Sequence, residues 1–268
     1  MELKFIKTSP TENMTLLIES PVAREKQLEV AEKLIAYGSV YAEQAGYIEE
    51  AENPAAEKRL QMMAGEFCGN ASLSLAAVLA EEKGLAVGEE TEIVLEVSGA
   101  DSLVNCQMKK EENGFSGRVA MPLPKAIAYQ KFHLNGETFE LPVVAFEGIS
   151  HIIVDASLWN ETAAEQAAKD WAEKMPAAFG ILLFDEEKGE LKPLVSVQGA
   201  TLIWERGCGS GTSAIGAYLA TKEGKSLSVS LKQPSGIMGA EVSVENGEIT
   251  SLYITGKVSI VAKGTAYI

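Results

Sequence analysis

The sequence predicts an α/β (α+β) fold built as two pseudo-symmetric lobes. Short runs rich in Val, Ile and Leu alternate with a few stretches of helical periodicity along most of the 268 residues. Segments 65–84 and 205–224 each place a Cys-Gly pair before a run of small residues that ends at a glycine. Because a strand-like run and a Ser-Gly turn follow each segment, the two halves of the chain are expected to share one plan.

Two further helices and several strands are predicted from periodicity and from turn residues. Residues 25–37 carry apolar side chains at helical spacing, and residues 160–174 form an alanine-rich run that Asn160 would cap. The predicted lobes are 1–118 with 258–268, and 119–257. Besides an N-terminal strand, runs of Val, Ile and Leu between Gly, Asn and Pro predict strands at 15–19, 92–97, 152–154, 181–184, 227–231 and 252–255.

Composition and charge argue against several classes of function. Hydrophobic residues make up 46% of the chain and charged residues 23%, as in ordinary globular proteins. A formal net charge of −15 repels nucleic acid and anionic lipid, so neither is an expected partner. No apolar run approaches the roughly 20 residues of a membrane span. With no export signal at the N-terminus, a cytoplasmic location is expected, where the three cysteines would stay reduced.

Two of the three cysteines stand where a helix is predicted to begin. Cys68 and Cys208 each precede a glycine, and the N–H groups and dipole of a helix N-terminus should lower the thiol pKa there. The same N–H groups can bind a carboxylate. Cys106 lies in a strand-like stretch without catalytic neighbours, so it is expected to be a small buried hydrophobe.

Two such thiols suit the inversion of an amino-acid α-carbon. One thiolate would remove the α-proton, the opposite thiol would deliver another, and the helix ends would stabilise the charge that develops on the carboxylate. A redox disulfide is an alternative, but no C-x-x-C motif supports it. The only histidines, His133 and His151, show no metal-ligand spacing, which argues against zinc. A nucleophilic thiol of the hydrolase type would have only His151 as its base.

The motifs around both cysteines resemble those of the diaminopimelate epimerase superfamily, whose members are cofactor-independent racemases and epimerases. In this chain, C-G-N-A at 68–71 is similar to the first cysteine motif of the superfamily. The run W-E-R-G-C-G-S-G-T at 204–212 is similar to the second. The run E-N-M-T-L-L-I around Asn13 is similar to the N-terminal strand motif of the superfamily. G-I-S-H at 148–151 is similar to its G-N-P-H element. Within the superfamily, N-M-T-L-L, A-E-Q-A-G, L-I-W-E and Q-P-S-G most resemble the histidine racemases of opine-type metallophore biosynthesis.

This resemblance, which spans nearly the whole chain, implies a fold, a mechanism and a site. Each lobe would be a mixed or antiparallel sheet or barrel around a central helix, with the active site in the cleft between lobes. No pyridoxal phosphate and no metal are implied, and a homodimer is common in the family. Cys68 and Cys208 would be the catalytic pair. The residues implied to bind the substrate are Asn13, Glu43, Gln44, Gly69, Asn70, His151, Glu205, Arg206, Gly209 and Ser210.

Individual roles follow from the same resemblance. The N–H groups of Gly69, Asn70, Gly209 and Ser210 would hold the substrate carboxylate, and Glu205 would accept the α-ammonium group. Asn13 and His151 would line the cleft. In A-E-Q-A-G, Glu43 matches a functional glutamate of the histidine racemases and Gln44 follows it. Glu43 would either hydrogen-bond an imidazole or shape a loop that closes the cleft.

The departures from diaminopimelate epimerase bear on the substrate. Three asparagines of that family that read the distal end of the substrate are replaced here, by Met62 or Met63, by Ile149 and within Phe179-Gly180. A charged distal carboxylate would find few partners, which favours L- and D-histidine as substrates. Arg206 keeps diaminopimelate as the alternative. A phenazine-isomerase-like enzyme would lack the paired thiols, and a non-catalytic small-molecule binding protein is the remaining alternative.

Overall fold

The computed structural model describes residues 1–198 and 201–268, and the chain divides into two compact units. The first unit contains Met1–Ala120 and Thr255–Ile268, and the second contains Met121–Ile254. Each unit combines strands with a buried helix, so the predicted mixed α and β class is confirmed. The last strand begins in the second unit and ends in the first, which is why the first unit is built from two separate pieces of the chain.

The strands of the first unit form a closed ring. They are hydrogen-bonded in the order β1-β2-β3-β4-β5-β6-β7-β16, and β16 also pairs with β1 in antiparallel register, from Glu2 opposite Tyr267 to Pro10 opposite Val258. Closure of this kind removes the sheet edges. The elements are β1 Glu2–Pro10, β2 Thr15–Ile18, α1 Gln27–Ile35, β3 Gln44–Glu49, β4 Lys58–Met62, α2 Gly69–Glu82, β5 Glu90–Val97, β6 Val104–Glu111, β7 Gly114–Ala120 and β16 Glu248–Tyr267.

The helix α2 lies inside this ring. Every residue from Gly69 to Ala80 is buried, and the helix packs against strands β1 to β7. Its Ala, Ser and Gly side chains are small enough for strands to approach from all sides, and a helix that is apolar or small all round is buried all round. A second cluster on the other face of β1 to β3 is formed with α1, through Val30 and Leu34.

The second unit has the same plan with a different outer helix. Its strands are hydrogen-bonded in the order β15-β14-β12-β11-β10-β9-β8, and β13 pairs with β12. The strand β15 continues into β16 through Asn246 and Gly247, whose φ angles of 52° and 84° suit a tight hairpin turn. The elements are β8 Ala126–Leu134, β9 Glu137–Ala145, β10 Ser150–Asp155, α3 Glu161–Trp171, β11 Ala178–Asp185, β12 Glu190–Val197, β13 Thr201–Trp204, α4 Gly209–Glu223, β14 Leu227–Gln233 and β15 Gly236–Glu245.

The helix α4 takes the interior position that α2 has in the first unit. It packs against β9, β10, β14 and β15 through Ala214, Ile215 and Ala217. At Gly216 the strand comes so close that an added Cβ would lie 2.6 Å from the Cβ of Ala240. The other face of the sheet is covered by α3, with Trp159 and Trp171 in its core.

The predicted helices and strands are confirmed, with shifted ends. The helix predicted at 160–174 is α3, and the side chain of Asn160 accepts from the N–H of Ala163 at 2.9 Å, as expected for a cap. The helix predicted at 25–37 is α1 with a short 3₁₀ turn before it. Both Cys-Gly helices end as predicted, with Gly84 (φ 71°) and Gly224 (φ 67°) in the left-handed conformation.

Within the described ranges, none of the helices has both the length and the apolar character that crossing a membrane requires.

Candidate active site

The first unit holds Cys68 at the N-terminus of α2. Its backbone is extended (φ −137°, ψ 112°), and its Sγ accepts from the N–H of Ala71 at 3.4 Å, so the thiol is the cap of its own helix. Gly69 and Asn70 form the first buried turn beside it. The hydroxyl of Ser72 donates to the carbonyl of Cys68 at 2.8 Å and fixes the turn from within. The predicted helix-end position of this thiol is therefore present, with the side chain half-buried.

Three other predicted site residues are joined to Cys68 by hydrogen bonds. The thiol donates to Oε1 of Gln44 at 3.1 Å. The amide nitrogen of Gln44 donates to Oδ1 of Asn13 at 2.7 Å and to the hydroxyl of Thr15 at 2.8 Å, which orients its oxygen toward the sulfur. Nδ2 of Asn13 donates to the carboxylate of Glu43 at 2.7 Å. A continuous chain of contacts therefore runs from Glu43 through Asn13 and Gln44 to the thiol.

The turn that follows strand β5 holds the loop that precedes Cys68. The hydroxyl of Ser98 donates to the carbonyl of Glu66 at 2.8 Å and accepts from the N–H of Met62 at 2.9 Å. Gly99 has φ 71°, and a Cβ there would lie 2.4 Å from the backbone nitrogen of Phe67. The predicted Ser-Gly turn thus fixes the approach to the cysteine, and only glycine fits its second position.

The second unit repeats this arrangement at Cys208. The residue is extended (φ −107°, ψ 108°), caps α4 through a 3.2 Å contact from the N–H of Gly211 to Sγ, and is 1% exposed. The hydroxyl of Thr212 donates to its carbonyl at 2.7 Å, as Ser72 does in the first unit. The hydroxyl of Ser235 donates to the carbonyl of Arg206 at 2.7 Å. The residue two before each cysteine is therefore held by the serine of a Ser-Gly turn.

The expected lowering of the thiol pKa is wrong for Cys208. Burial, together with the neighbouring carboxylate of Glu205, raises the pKa of this thiol well above its usual value. The hydroxyl of Ser210 and the N–H of Gly211 act in the opposite direction but do not compensate. Burial also raises the pKa of the Glu205 carboxyl, while its hydrogen bond with Cys208 lowers it. The helix N-terminus alone therefore does not set the charge on this sulfur.

His151 is brought to the same place. It lies in β10, is fully buried, and its Nε2 is 2.9 Å from the hydroxyl of Ser210, which is 3.5 Å from Sγ of Cys208. Burial lowers the pKa of the imidazole to about 3, so the ring is uncharged at neutral pH. Gly180 makes room for it, because a Cβ at that position would lie 2.3 Å from Nδ1. The imidazole leaves no room for a side chain at position 180, which explains why the family's asparagine is absent there.

The remaining predicted residues contribute less. Gly209 is buried in the first turn of α4, and the side chain of Arg206 is exposed. Met62 and Phe179 are 0% and 2% exposed and lie in the cores of their units, so neither offers a surface to a ligand there. Cys106 is buried in β6 as expected, and burial raises its pKa to about 12. Among the residues that the structure describes, no three His, Cys, Asp or Glu side chains group as metal ligands would.

One residue that fixes Cys208 was not recognised from sequence. Oε1 of Gln233, at the end of β14, accepts from the backbone N–H of Cys208 at 2.7 Å, and its Nε2 donates to the hydroxyl of Thr212 at 2.7 Å. Gln233 is 3% exposed, so both of its polar groups are satisfied inside the protein. The string Q-P-S-G carries this glutamine beside the predicted Ser-Gly turn, and it was the sequence signal that could have pointed to it.

The family model described as the histidine racemase CntK N-terminal domain matches residues 2–267 of this chain. The chain belongs to the histidine racemase family. A histidine racemase of Fusobacterium nucleatum is 35% identical over 276 aligned residues, which cover 99% of this chain and 97% of that protein. A histidine racemase of Staphylococcus aureus is 29% identical over 99% of this chain and 98% of that protein.

Solved structures of other proteins share the fold at low sequence identity. A hydroxyproline epimerase from Agrobacterium vitis with bound trans-4-hydroxy-L-proline superposes with a TM-score of 0.76 at 12% identity, covering 99% of this chain and 92% of that one. A phenazine biosynthesis protein of the PhzF family from Enterococcus faecalis gives a TM-score of 0.61 at 13% identity over all of both chains. Membership of the histidine racemase family makes this protein an isomerase of the racemase and epimerase class.

Proposed function

We propose that this protein interconverts L- and D-histidine, using Cys68 and Cys208 as acid and base and no pyridoxal phosphate. The relatives that cover almost the whole chain are named histidine racemases. The reaction needs free thiols, and we expect it to take place in the reducing cytosol.

The observation that carries the mechanism is the repeated helix start. In each unit the cysteine sulfur accepts a hydrogen bond from the backbone N–H three residues further along the chain, at 3.4 Å for Cys68 and 3.2 Å for Cys208. A sulfur in this position is directed at the end of the helix where N–H groups point outward, so a carboxylate held there has its α-carbon near the sulfur. One such site suits one face of a substrate, and a racemase needs one for each face.

The proton transfers balance without a cofactor. The thiolate of one cysteine takes the α-proton, so that the C–H bond breaks and an S–H bond forms. The electron pair left on the α-carbon is delocalised into the carboxylate, whose charge the helix N–H groups stabilise. The thiol of the other cysteine then protonates the opposite face and becomes a thiolate. The two cysteines end with exchanged protonation states, ready for the opposite enantiomer.

The surroundings of Cys208 favour its protonated form. Its raised pKa, caused by burial and by the carboxylate of Glu205, keeps the proton on sulfur at neutral pH. Cys208 is therefore the acid of the resting enzyme, and Cys68 is the base for the enantiomer whose α-proton faces its sulfur. We also propose that Glu205 binds the substrate ammonium group. Once that cation is bound, the carboxylate would accept a weaker hydrogen bond from the thiol of Cys208.

The choice of histidine rests on the first unit as well as on the relatives. Glu43 lies at the exposed end of the chain of contacts that leads through Asn13 and Gln44 to Cys68. A carboxylate at that point can accept a hydrogen bond from an imidazole N–H. The hydrogen bonds through Asn13 and Gln44 then connect the bound imidazole to the thiol. Diaminopimelate is the second candidate, because the exposed side chain of Arg206 could pair with a distal carboxylate.

A substrate panel tests the proposal. Dialysed protein with chelator is incubated in deuterated water with single L-amino acids, including histidine, and with LL-diaminopimelate, and products are separated by chiral chromatography. We expect D-histidine carrying deuterium at the α-carbon, without added pyridoxal phosphate. Turnover of LL-diaminopimelate alone would overturn the substrate and leave the two-thiol mechanism standing. A requirement for added pyridoxal phosphate would overturn the mechanism.

A further inference from the structure

The hydroxyl of Ser210 lies between a buried histidine and the sulfur of Cys208. It is 2.9 Å from Nε2 of His151 and 3.5 Å from Sγ of Cys208, and it belongs to the first turn of α4. The histidine lies on a different element, β10, and none of its surface is exposed. A serine hydroxyl has one hydrogen and can accept others, so the direction of these two contacts decides what the sulfur receives.

The surroundings of the imidazole set that direction. Its Nδ1 is buried and has no hydrogen-bond partner among the described residues, and it lies against the Cα of Gly180. The ring is uncharged and carries one proton, which is on either Nδ1 or Nε2. A buried N–H without a partner is rarer and less tolerable than an acceptor without one. The proton therefore belongs on Nε2, where it has the oxygen of Ser210 to bind.

The same direction then continues to the sulfur. If Nε2–H donates to Ser210, the hydroxyl hydrogen of Ser210 is free to point at Sγ of Cys208, where the N–H of Gly211 also donates at 3.2 Å. We propose that His151 is a positioning residue that, through Ser210, directs a second hydrogen bond at the sulfur of Cys208 and stabilises its thiolate. This inference rests on the proposed use of Cys208 as an acid and base.

Cys208 needs such help more than its counterpart does. The charged group that acts on it is the carboxylate of Glu205, which together with burial opposes ionisation, yet the thiolate must form in every second half-reaction. The position of Ser210 is taken by Asn70 in the first unit, and the thiol of Cys68 donates to Oε1 of Gln44 instead. The hydroxyl relay thus belongs to the more deeply buried of the two sulfurs.

Nitrogen NMR tests the first half of the inference. The His133→Gln protein carries His151 as its single histidine, so its imidazole ¹⁵N signals can be assigned directly. At neutral pH we expect the shifts of the Nε2-protonated, uncharged tautomer. A proton on Nδ1, or a charged ring, would overturn the proposal. The measurement uses no substrate, so it stands whether or not histidine is the substrate.

Thiolate reactivity tests the second half. In the Cys68→Ala, Cys106→Ala protein, Cys208 is the single thiol, and its reaction with a small thiosulfonate at fixed pH reports the thiolate fraction. We expect Ser210→Ala to slow this reaction about tenfold, because a hydrogen bond to a charged group is lost. His151→Leu should slow it similarly, His151→Gln should restore much of the rate through its amide N–H, and the double variant Ser210→Ala, His151→Leu should be no slower than Ser210→Ala alone.

Ser213→Ala is the matched control, since this serine lies one turn further along α4 and donates to the carbonyl of Gly209 at 3.0 Å. It should leave the rate unchanged. An unchanged rate in Ser210→Ala would overturn the proposal outright. A slow Ser210→Ala protein beside a normal His151→Leu protein would overturn the role of the histidine. If His151→Leu does not fold, by circular dichroism, then His151→Gln with and without Ser210→Ala decides the same point. Racemisation by the unmodified protein is assayed separately, so a failed relay and a failed function are told apart.

Discussion

Gly180 and His151 are register partners on the parallel strands β11 and β10, and the imidazole lies directly against the glycine. A Cβ on Gly180 would come within 2.3 Å of Nδ1 and 2.8 Å of Cε1. The ring is fully buried, so it has little freedom to move aside. The imidazole therefore fits only if residue 180 is glycine. In that place its Nε2 reaches the hydroxyl of Ser210 beside Cys208.

Gly180→Ala should displace the imidazole and weaken both fold and activity. We expect the free energy of unfolding to fall by about 1–3 kcal/mol, as in other overpacked cores, and kcat to fall at least tenfold. Gly38→Ala is the control, because nothing lies within 4 Å of the added Cβ there. Denaturant unfolding and the racemase assay measure both. Normal kcat in Gly180→Ala would contradict the positioning argument.

Cys68→Ala and Cys208→Ala should each abolish racemisation, because one face of the substrate then has no proton carrier. Cys106→Ala is the control for loss of a thiol, since Cys106 is buried in β6 away from both helix ends. It should keep kcat within a few-fold while losing stability. Chiral chromatography of L-histidine reactions gives the rates, and racemisation by either single variant at an undiminished rate would rule out the two-thiol mechanism.

Ser98→Ala and Ser235→Ala should each loosen the loop that precedes one cysteine. The hydroxyls donate to the carbonyls of Glu66 and Arg206 at 2.8 and 2.7 Å, two residues before the sulfurs. We expect kcat/KM to fall about tenfold in each, because a small displacement of a catalytic group is costly, with roughly 1 kcal/mol of stability lost. The exposed Ser39→Ala serves as control. Equal kcat/KM in all three variants would argue against these turns as supports of the site.

Gln233→Leu should destabilise the start of α4. It removes the acceptor of the Cys208 N–H and the donor to Thr212, which leaves buried polar groups unsatisfied at a cost of about 1–3 kcal/mol. Thermal unfolding measures the loss, and kcat should fall because the cysteine backbone is no longer held. Gln130→Leu, on the exposed strand β8, is the control and should change neither quantity much. A fully stable and active Gln233→Leu protein would refute this role.

The stability of the protein should fall in mild acid because of His151. Burial lowers the pKa of its imidazole to about 3, whereas the unfolded chain has a value near 6.5. The contribution of the uncharged ring is complete above about pH 6.5 and is lost as pH falls toward 3, by roughly 1.4 kcal/mol per unit. From pH 7 to pH 5, the unmodified protein should lose about 2 kcal/mol more than His151→Gln. The exposed His133→Gln is the control, and its curve should follow that of the unmodified protein. Parallel curves for His151→Gln would show that the ring is not buried in its neutral form.

Local signals predicted much of the fold, and contacts between distant residues account for the rest. Asn160 and the two Cys-Gly pairs mark helix starts within a few residues, so α2, α3 and α4 were predictable. The strand β8 was not, because most of its side chains are exposed and its sequence lacks a clear alternation. Ser-Gly turns were visible, but their target carbonyls lie 29 and 32 residues away.

The charge state of the site was the least predictable property. The motif around Cys208 correctly indicated a helix N-terminus, and a helix N-terminus by itself lowers a thiol pKa. Burial of the sulfur and the approach of Glu205 reverse that effect. Likewise, the sequence lacks the family's asparagine near residue 180, but only the structure gives a reason, which is the imidazole on the neighbouring strand.

The last strand gives the chain an unusual order of assembly during synthesis. The ring of the first unit is complete only when residues 258–267 pair with β1, which is synthesised well before them. The second unit, Met121–Ile254, has all of its residues before that moment. Until β16 has been synthesised, β1 and β7 each present an unpaired edge of the kind that recruits other chains. A stop codon just before β16 would therefore leave the edges of β1 and β7 open, and such a product should aggregate or be degraded even though both cysteine motifs are intact.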